Sequence, residues 1–339
     1  MSQTPAISPR RAAGSRHVAR ALWYAKPGVI ELRSTSLPPL KPGEARVRTL
    51  FSGISRGTER LVFNGRVPIS EYERMRAPLQ EGRFPFPVKY GYCATGTVED
   101  GPEDLIGQSV FCLHPHQDMF IAPAAMLAVL PTDVPPRRAT LAANMETALN
   151  ALWDSGAGPG DTIVVVGAGI LGLLVAALAA KTPGANVTVI DVIESRAPLV
   201  QSLGASFTTP ANTPTGADVV FHTTATAAGI DTSIAACGLE ATVVELSWYG
   251  DAQVNASLGG AFHSRRLKLV SSQVGHVAPS HRPRWSHHRR LGKAIELLGD
   301  SVFGPFVESE IAFTDLPAAL PAILTGSTAD LPPVVCYQR

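Results

Sequence analysis

The chain is poor in cysteine and has no cysteine pattern. Its four cysteines, Cys93, Cys112, Cys237 and Cys336, are scattered over 339 residues with no Cys-x-x-Cys unit or other metal-knuckle spacing. That excludes a cysteine-based zinc module and fits buried thiols of a reducing, cytoplasmic compartment. Charge is scarce as well: Asp, Glu, Lys and Arg make up 17% and leave a net +1, so there is no basic excess for nucleic acid. The longest apolar run lies within residues 170–180 and falls short of the ~20 residues that cross a bilayer. An export signal is not expected either. Residues 1–16 are rich in Ser, Pro, Arg and Ala and include Arg10-Arg11, but Arg20 interrupts the following apolar stretch, where a signal needs ~7–15 uninterrupted apolar residues. Residues 1–17 read as a disordered tail. The expected partners are a small-molecule substrate and a second copy of the chain as a homodimer, with neither nucleic acid nor membrane.

What the chain does have is one well-formed unit, residues 162–191. It opens with Thr-Ile-Val-Val-Val, a β-branched run without alternation, as in a strand buried on both faces of a parallel sheet. Gly167-Ala168-Gly169-Ile170-Leu171-Gly172 comes next, followed by an Ala/Leu helix over 173–181, a Thr182-Pro183-Gly184 stop and Val-Thr-Val-Ile-Asp191. Strand, tight turn, helix and second strand are the context in which Gly-x-Gly-x-x-Gly binds a dinucleotide; without it the motif would be a plain turn. Gly167 permits the turn, Gly169 lets backbone approach a pyrophosphate, and Gly172 lets the helix pack on the strand. Free N–H groups at Ile170 and Leu171, where the helix starts, would face the phosphates. Asp191 stands 19 residues beyond Gly172, placed to accept from the ribose hydroxyls and to repel a 2′-phosphate, so NAD is expected ahead of NADP.

Around this unit the chain changes character. From residue 19 to about 130, short strand-like pieces alternate with Pro and Gly clusters, and Arg46, Arg48 and Thr49 alternate with Val47 and Leu50 as in a half-exposed strand. A helix is predicted over 137–156 and another over 196–203, with strands at 218–222, 241–247 and 267–273, the alternation of a doubly wound parallel sheet. After residue 273 come Pro279, Pro283 and a His/Arg run, then a helix over 285–298 and short pieces that lead back to the first domain.

This arrangement resembles the medium-chain dehydrogenase/reductase superfamily. Ser52-Gly53-Ile54-Ser55-Arg56-Gly57-Thr58-Glu59 is similar to its Gly-Ile-Cys-Arg-Thr-Asp segment, and Gly91-Tyr92-Cys93-Ala94-Thr95-Gly96 to its Gly-His-Glu-x-x-Gly segment. Gly57-Thr58-Glu59, Gly91-Tyr92 and Pro115-His116 further resemble the subgroup of bacteriochlorophyllide-type hydroxyethyl dehydrogenases. The resemblance implies an α/β fold in which a GroES-like β-rich catalytic domain (18–135 and 280–339) adjoins a Rossmann doubly wound NAD-binding domain (136–279). It also implies cofactor contacts at Thr147, Thr224 and Arg196.

The resemblance carries departures. Where zinc-type members have Cys and His ligands stand Ser55 and Tyr92, and Ala143 and Asn144 occupy the third ligand region. Hydroxyl, phenol and amide groups are poor zinc ligands, so no zinc is expected. Alcohol oxidation or ketone reduction then needs a hydrogen-bond donor or base at the substrate oxygen. Tyr92, Thr58, Ser55 and His116 are the candidates, against the alternatives that Tyr92 is a packed aromatic and His116 a loop histidine with a structural hydrogen bond. Glu59 and Glu146 could hold a base or form salt bridges. The cluster His281, Trp285, His287, His288, Arg289 and Arg290 reads as a metal site, an anion patch or a solvated helix face with Trp285 buried. The expected activity is zinc-independent hydride transfer between nicotinamide and a secondary alcohol or ketone. The alternatives are a C=C reductase of the same fold and a non-catalytic NAD-binding protein.

Overall fold

The computed structural model describes residues 17–326 and 330–337; the tail reading falls outside them except at His17. Two antiparallel sheets build the first unit. In one, the hairpin β1 (Val18–Lys26) and β2 (Val29–Ser36) is extended by β5 (Val88–Lys89) and β4 (Glu81–Gly82). In the other, β3 (Glu44–Ser52) pairs with β6 (Ala94–Asp100) and β8 (Met119–Pro123), and β7 (Ser109–Cys112) and β9 (Ala128–Val129) continue from β6. Residues of β3 alternate as expected only in part. Ala45, Val47 and Thr49 face inward, and the Thr49 hydroxyl donates to the Gln117 carbonyl. Thr49 shares the inward face of Ala45 and Val47 by strand period, although the sequence reading groups it with the polar Arg46 and Arg48; the register shift between Thr49 and Phe51 follows it and bends the strand there. This bend carries the chain through Gly53 into α1 (Arg56–Phe63).

The second unit is a parallel sheet of β10 (Thr162–Val166), β11 (Asn186–Ile190), β12 (Ser206–Thr208), β13 (Ala217–His222), β14 (Cys237–Glu245) and β15 (Lys268–Ser271). Its order, β12-β11-β10-β13-β14-β15, reverses between β10 and β13, which is where doubly wound sheets bind dinucleotides. Between the strands run α4 (Ile170–Ala180), α5 (Ala197–Ser202) and α6 (Ala227–Ala236). Ile163, Val165, Leu173 and Leu174 are fully buried against one another, as expected of an apolar run covered on both faces.

The helix predicted over 137–156 is broken into α2 (Pro136–Ala139) and α3 (Ala142–Ser155). At the break the Thr140 hydroxyl donates to the Arg137 carbonyl at 2.7 Å, and the Thr140 carbonyl lies so near Gly53 that a Cβ there would be 2.9 Å from it. The break thus admits the segment that leads to Ser55. After β15 the chain forms α7 (His287–Leu297), with Ser286 capping its start by accepting from Arg289 N–H. It then forms β16 (Glu310–Ala312), α8 (Leu316–Thr325) and β17 (Val334–Cys336). Val335 pairs with Ser52 and Cys336 with Phe51, so the C-terminal strand completes the sheet that delivers the candidate site.

Arg290 of α7 is 1% exposed. Its guanidinium donates to Glu146 Oε1 at 2.9 Å and Asn150 Oδ1 at 2.5 Å on α3, and to the carbonyls of His276 and Val274. Glu146 is therefore in a buried ion pair. Burial pushes its carboxyl above the usual range against the opposing pull of Arg290. Replacing Arg290 with Leu leaves that carboxylate uncompensated, and denaturant unfolding is expected to show a loss of about 3–5 kcal/mol, much of it recovered when Glu146 is also made Leu. A loss well under 1 kcal/mol in the single variant would contradict this.

Candidate active site

Three glycines of the β10–α4 turn occupy three different environments. Gly167 has φ +109, and a Cβ on it would meet Thr223 Oγ1 at 2.5 Å. Gly172 sits where a Cβ would be 1.9 Å from the Gly167 carbonyl, so only hydrogen fits between helix and strand. A Cβ on Gly169 would meet nothing within 4 Å. Gly169 faces open space at the N-terminus of α4, where Ile170 and Leu171 are half exposed and unpaired N–H groups point outward. These residues fit a dinucleotide phosphate.

Asp191 lies just past the end of β11 and is already engaged. Its Oδ2 accepts from Ala168 N–H at 2.5 Å and from Arg196 at 3.3 Å, and its Oδ1 accepts from Ile193 N–H at 2.8 Å. It therefore clamps the glycine turn. Arg196 is buried beside it and also donates to the Ala168 carbonyl. Arg56 reaches this corner from the first unit: its guanidinium pKa is lowered by burial and by the neighbouring Arg196 and Arg60 charges, with Asp191 opposing. The sequence reading gives Arg56 no role of its own, although it directly follows Ser55. The Thr224 hydroxyl is bonded to His222 Nε2 at 2.7 Å and Thr226 Oγ1 at 2.9 Å. Thr147 donates within α3 to the Ala143 carbonyl at 2.9 Å.

The structure brings Tyr92, Ser55 and Thr58 together. Tyr92 OH donates to Ser55 Oγ at 2.5 Å and lies 3.2 Å from Thr58 Oγ1. All three side chains are half-buried, and Tyr92 packs against apolar clusters of both units. Burial pushes the Tyr92 phenol well above its ordinary pKa, so it stays protonated and acts as a donor. His116 is 1% exposed, with Nδ1 2.6 Å from Ser52 Oγ and Nε2 3.1 Å from Glu59 Oε2. Both ring nitrogens are taken by buried partners, as in the structural alternative for this residue. Glu59 is the partner that holds it. This carboxylate has no exposure and also accepts from Tyr24 OH at 2.7 Å and Ser55 N–H at 2.7 Å. Burial alone would raise the Glu59 carboxyl, but the His116 charge and these donors bring it below the usual range.

The basic run around α7 does not converge on one point. His281 stacks on Trp153 with centroids 4.1 Å apart, Arg289 lies 4.0 Å over Trp285, and Arg290 turns inward to Glu146. Trp285 is half-buried on this face, where the sequence suggested full burial. Among the described residues no three His, Cys, Asp or Glu side chains gather as a metal-binding group, and no helix is long and apolar enough to cross a membrane.

No protein-family model matches the chain. It is 38% identical over 209 residues to a zinc-type alcohol dehydrogenase-like protein of Haemophilus influenzae, a match spanning 55% of this chain and 60% of the relative. It is 24% identical over 285 residues to the D-guloside 3-dehydrogenase of Escherichia coli K12, covering 75% and 81% of the two chains. A solved short-chain alcohol dehydrogenase of Escherichia coli CFT073, complexed with NADH, superposes with a TM-score of 0.74 at 14% identity over 94% of this chain and 99% of that one. This chain shares the fold of that structure. Its GroES-like and Rossmann units are the two described above.

The glycine environments of this turn separate an open position from a packed one. Gly169 has φ −73 and ψ 176, which alanine adopts freely. Gly169→Ala is therefore expected to weaken NAD(H) binding in calorimetric titration at an unchanged melting temperature, whereas Gly172→Ala should lower both. Equal NAD(H) affinity in Gly169→Ala and wild type would remove the phosphate from this turn.

Proposed function

We propose that this protein is a zinc-independent, NAD(P)-dependent oxidoreductase acting on a secondary alcohol or the corresponding ketone, with NAD preferred. The observation that carries the reading is the hydroxyl cluster of Tyr92, Ser55 and Thr58, on the segment that continues through Arg56 to the Asp191 corner. Support for the secondary alcohol comes from the relative that oxidises a guloside at its 3 position, and for the cofactor from the NADH held by the E. coli structure. Ser55 and Tyr92 stand where a zinc-type member has thiolate and imidazole, and neither hydroxyl group is a good zinc ligand.

When bound, a nicotinamide supplies or accepts the hydride at the substrate carbon. The chain must then manage the oxygen. In ketone reduction the Tyr92 hydroxyl turns from Ser55 Oγ to the carbonyl oxygen, donates to it as negative charge develops and passes its proton to the alkoxide; the phenolate regains a proton from water through the Ser55 or Thr58 hydroxyl, which takes up one proton as it gives one. In alcohol oxidation the same steps run backward. The high phenol pKa suits this task, because the donor is protonated throughout the physiological range. Glu59 fixes Ser55 through its backbone N–H and so sets the far side of the cluster. Asp191, with its charge at the ribose end, favours NAD over its 2′-phosphorylated form.

Tyr92→Phe keeps the ring and nearly the volume. Turnover is expected to fall ~10²–10³-fold, as for loss of one oxyanion donor, with NAD(H) affinity and melting temperature unchanged. Steady-state kinetics with NAD(H) and NADP(H) on a panel of secondary alcohols checks both statements. Normal turnover in the variant would contradict the role of Tyr92, and a wild type that uses NADP(H) better would contradict that of Asp191.

A further inference from the structure

A cavity of about 140 Å³ lies between the units, lined by Arg60, Leu61, Asn64 and Arg66 on one side and by Trp248 and Tyr249 among others on the other. On the same measure one water needs roughly 10–15 Å³, so the space admits a substituent of several heavy atoms. Leu61 follows Thr58 by three residues on α1, about 4.5 Å of rise and a little under one turn, so the cavity opens off the helix that carries Thr58. Trp248 and Tyr92 pack against the same apolar cluster.

The walls are held firmly. The Tyr249 hydroxyl donates to Glu245 Oε2 at 3.0 Å, and that carboxylate is also 2.7 Å from His222 Nδ1, so Tyr249 presents its ring and not its oxygen. Gly250 has φ +64, and a Cβ there would be 2.4 Å from the Arg66 carbonyl. This docks the Trp248–Tyr249 turn on the first unit, where Arg66 donates to Asp251 at 2.8 Å. Arg66 is thereby neutralised. Arg60 is exposed and has no carboxylate partner among the described residues, and no carboxylate lines the cavity. The nearest acid on its own helix, Glu59, points inward to His116 and Tyr24. A cation left uncompensated on the wall of a preformed pocket, beside aromatic faces, matches an anion carried on a compact carbon skeleton.

We propose that this cavity is a substrate subsite in which Arg60 receives an anionic group, a carboxylate or a phosphate ester, of the alcohol or ketone that reacts at Tyr92. The proposal rests on the oxidoreductase reading for the reacting end of the substrate and on the cavity alone for the anionic end.

The test uses the NAD-saturated full chain with three secondary alcohols: D-glucitol, D-gluconate and D-glucitol 6-phosphate. Calorimetric binding and kcat/KM are measured for wild type, Arg60→Gln and Arg60→Lys. The expected result is that at least one anionic compound binds more tightly than D-glucitol and that Arg60→Gln lowers the anionic-to-neutral ratio by roughly tenfold to hundredfold, the range of a charged hydrogen bond. Arg60→Lys should retain most of the ratio. Which anion is preferred then tells carboxylate from phosphate. A wild-type ratio near one, a ratio unchanged in Arg60→Gln, or a parallel loss of NAD affinity that gives Arg60 to the cofactor would each overturn the proposal. Arg60-dependent anion binding without any turnover would uphold the subsite and sink the oxidoreductase reading. Turnover without anion preference would do the reverse.

Discussion

Glu59 is a charged group without access to water, and the geometry of the candidate site follows from the need to satisfy it. Burying a carboxylate costs several kcal/mol unless counter-charge and donors surround it. Here the His116 ring nitrogen, the Tyr24 hydroxyl and the Ser55 N–H surround it. His116 is in turn held by Ser52, which meets Tyr337 at 2.8 Å. One buried carboxylate therefore ties β1, β3, the start of α1, the segment before β8 and the C-terminal residues to a common point. Ser55, fixed through its backbone, keeps its hydroxyl under Tyr92.

The two units meet through the same helix. The N-terminal end of α1 carries Ser55 and Arg56 toward the glycine turn and Asp191, while its later turns carry Arg60 and Asn64 along the cavity wall facing Trp248. A dinucleotide at the switch point of the parallel sheet and a substrate at the hydroxyl cluster would therefore lie against successive turns of one short helix. The Arg66–Asp251 pair and the close seat of Gly250 hold the far end of this contact.

The parts legible in the sequence are those set by local periodicity or local stereochemistry. The β10–turn–α4–β11 unit could be read because a buried parallel strand is a continuous apolar run and because each glycine answers a steric demand within ten residues of itself. Tyr92, Ser55 and Thr58 were legible through family-like segments, and the structure brings their hydroxyls into contact. What escaped is long-range. Glu59 and His116 are 57 residues apart, and Arg290 and Glu146 are 144 apart. No periodicity reports such pairs. Asp191 was read as a ribose acceptor, but its bond to the Ala168 N–H depends on how the turn folds back over the strand end. The break at Thr140 exists because Gly53 approaches from another sheet.

The central claim is that a hydroxyl cluster does at this site what the metal does in zinc-type alcohol dehydrogenases. It is tested most directly by measuring zinc content and turnover on the same sample, before and after dialysis against a strong chelator. The account predicts far less than one zinc per chain and turnover unchanged by the chelator. About one zinc per chain, with activity lost on chelation and restored by zinc, would contradict it.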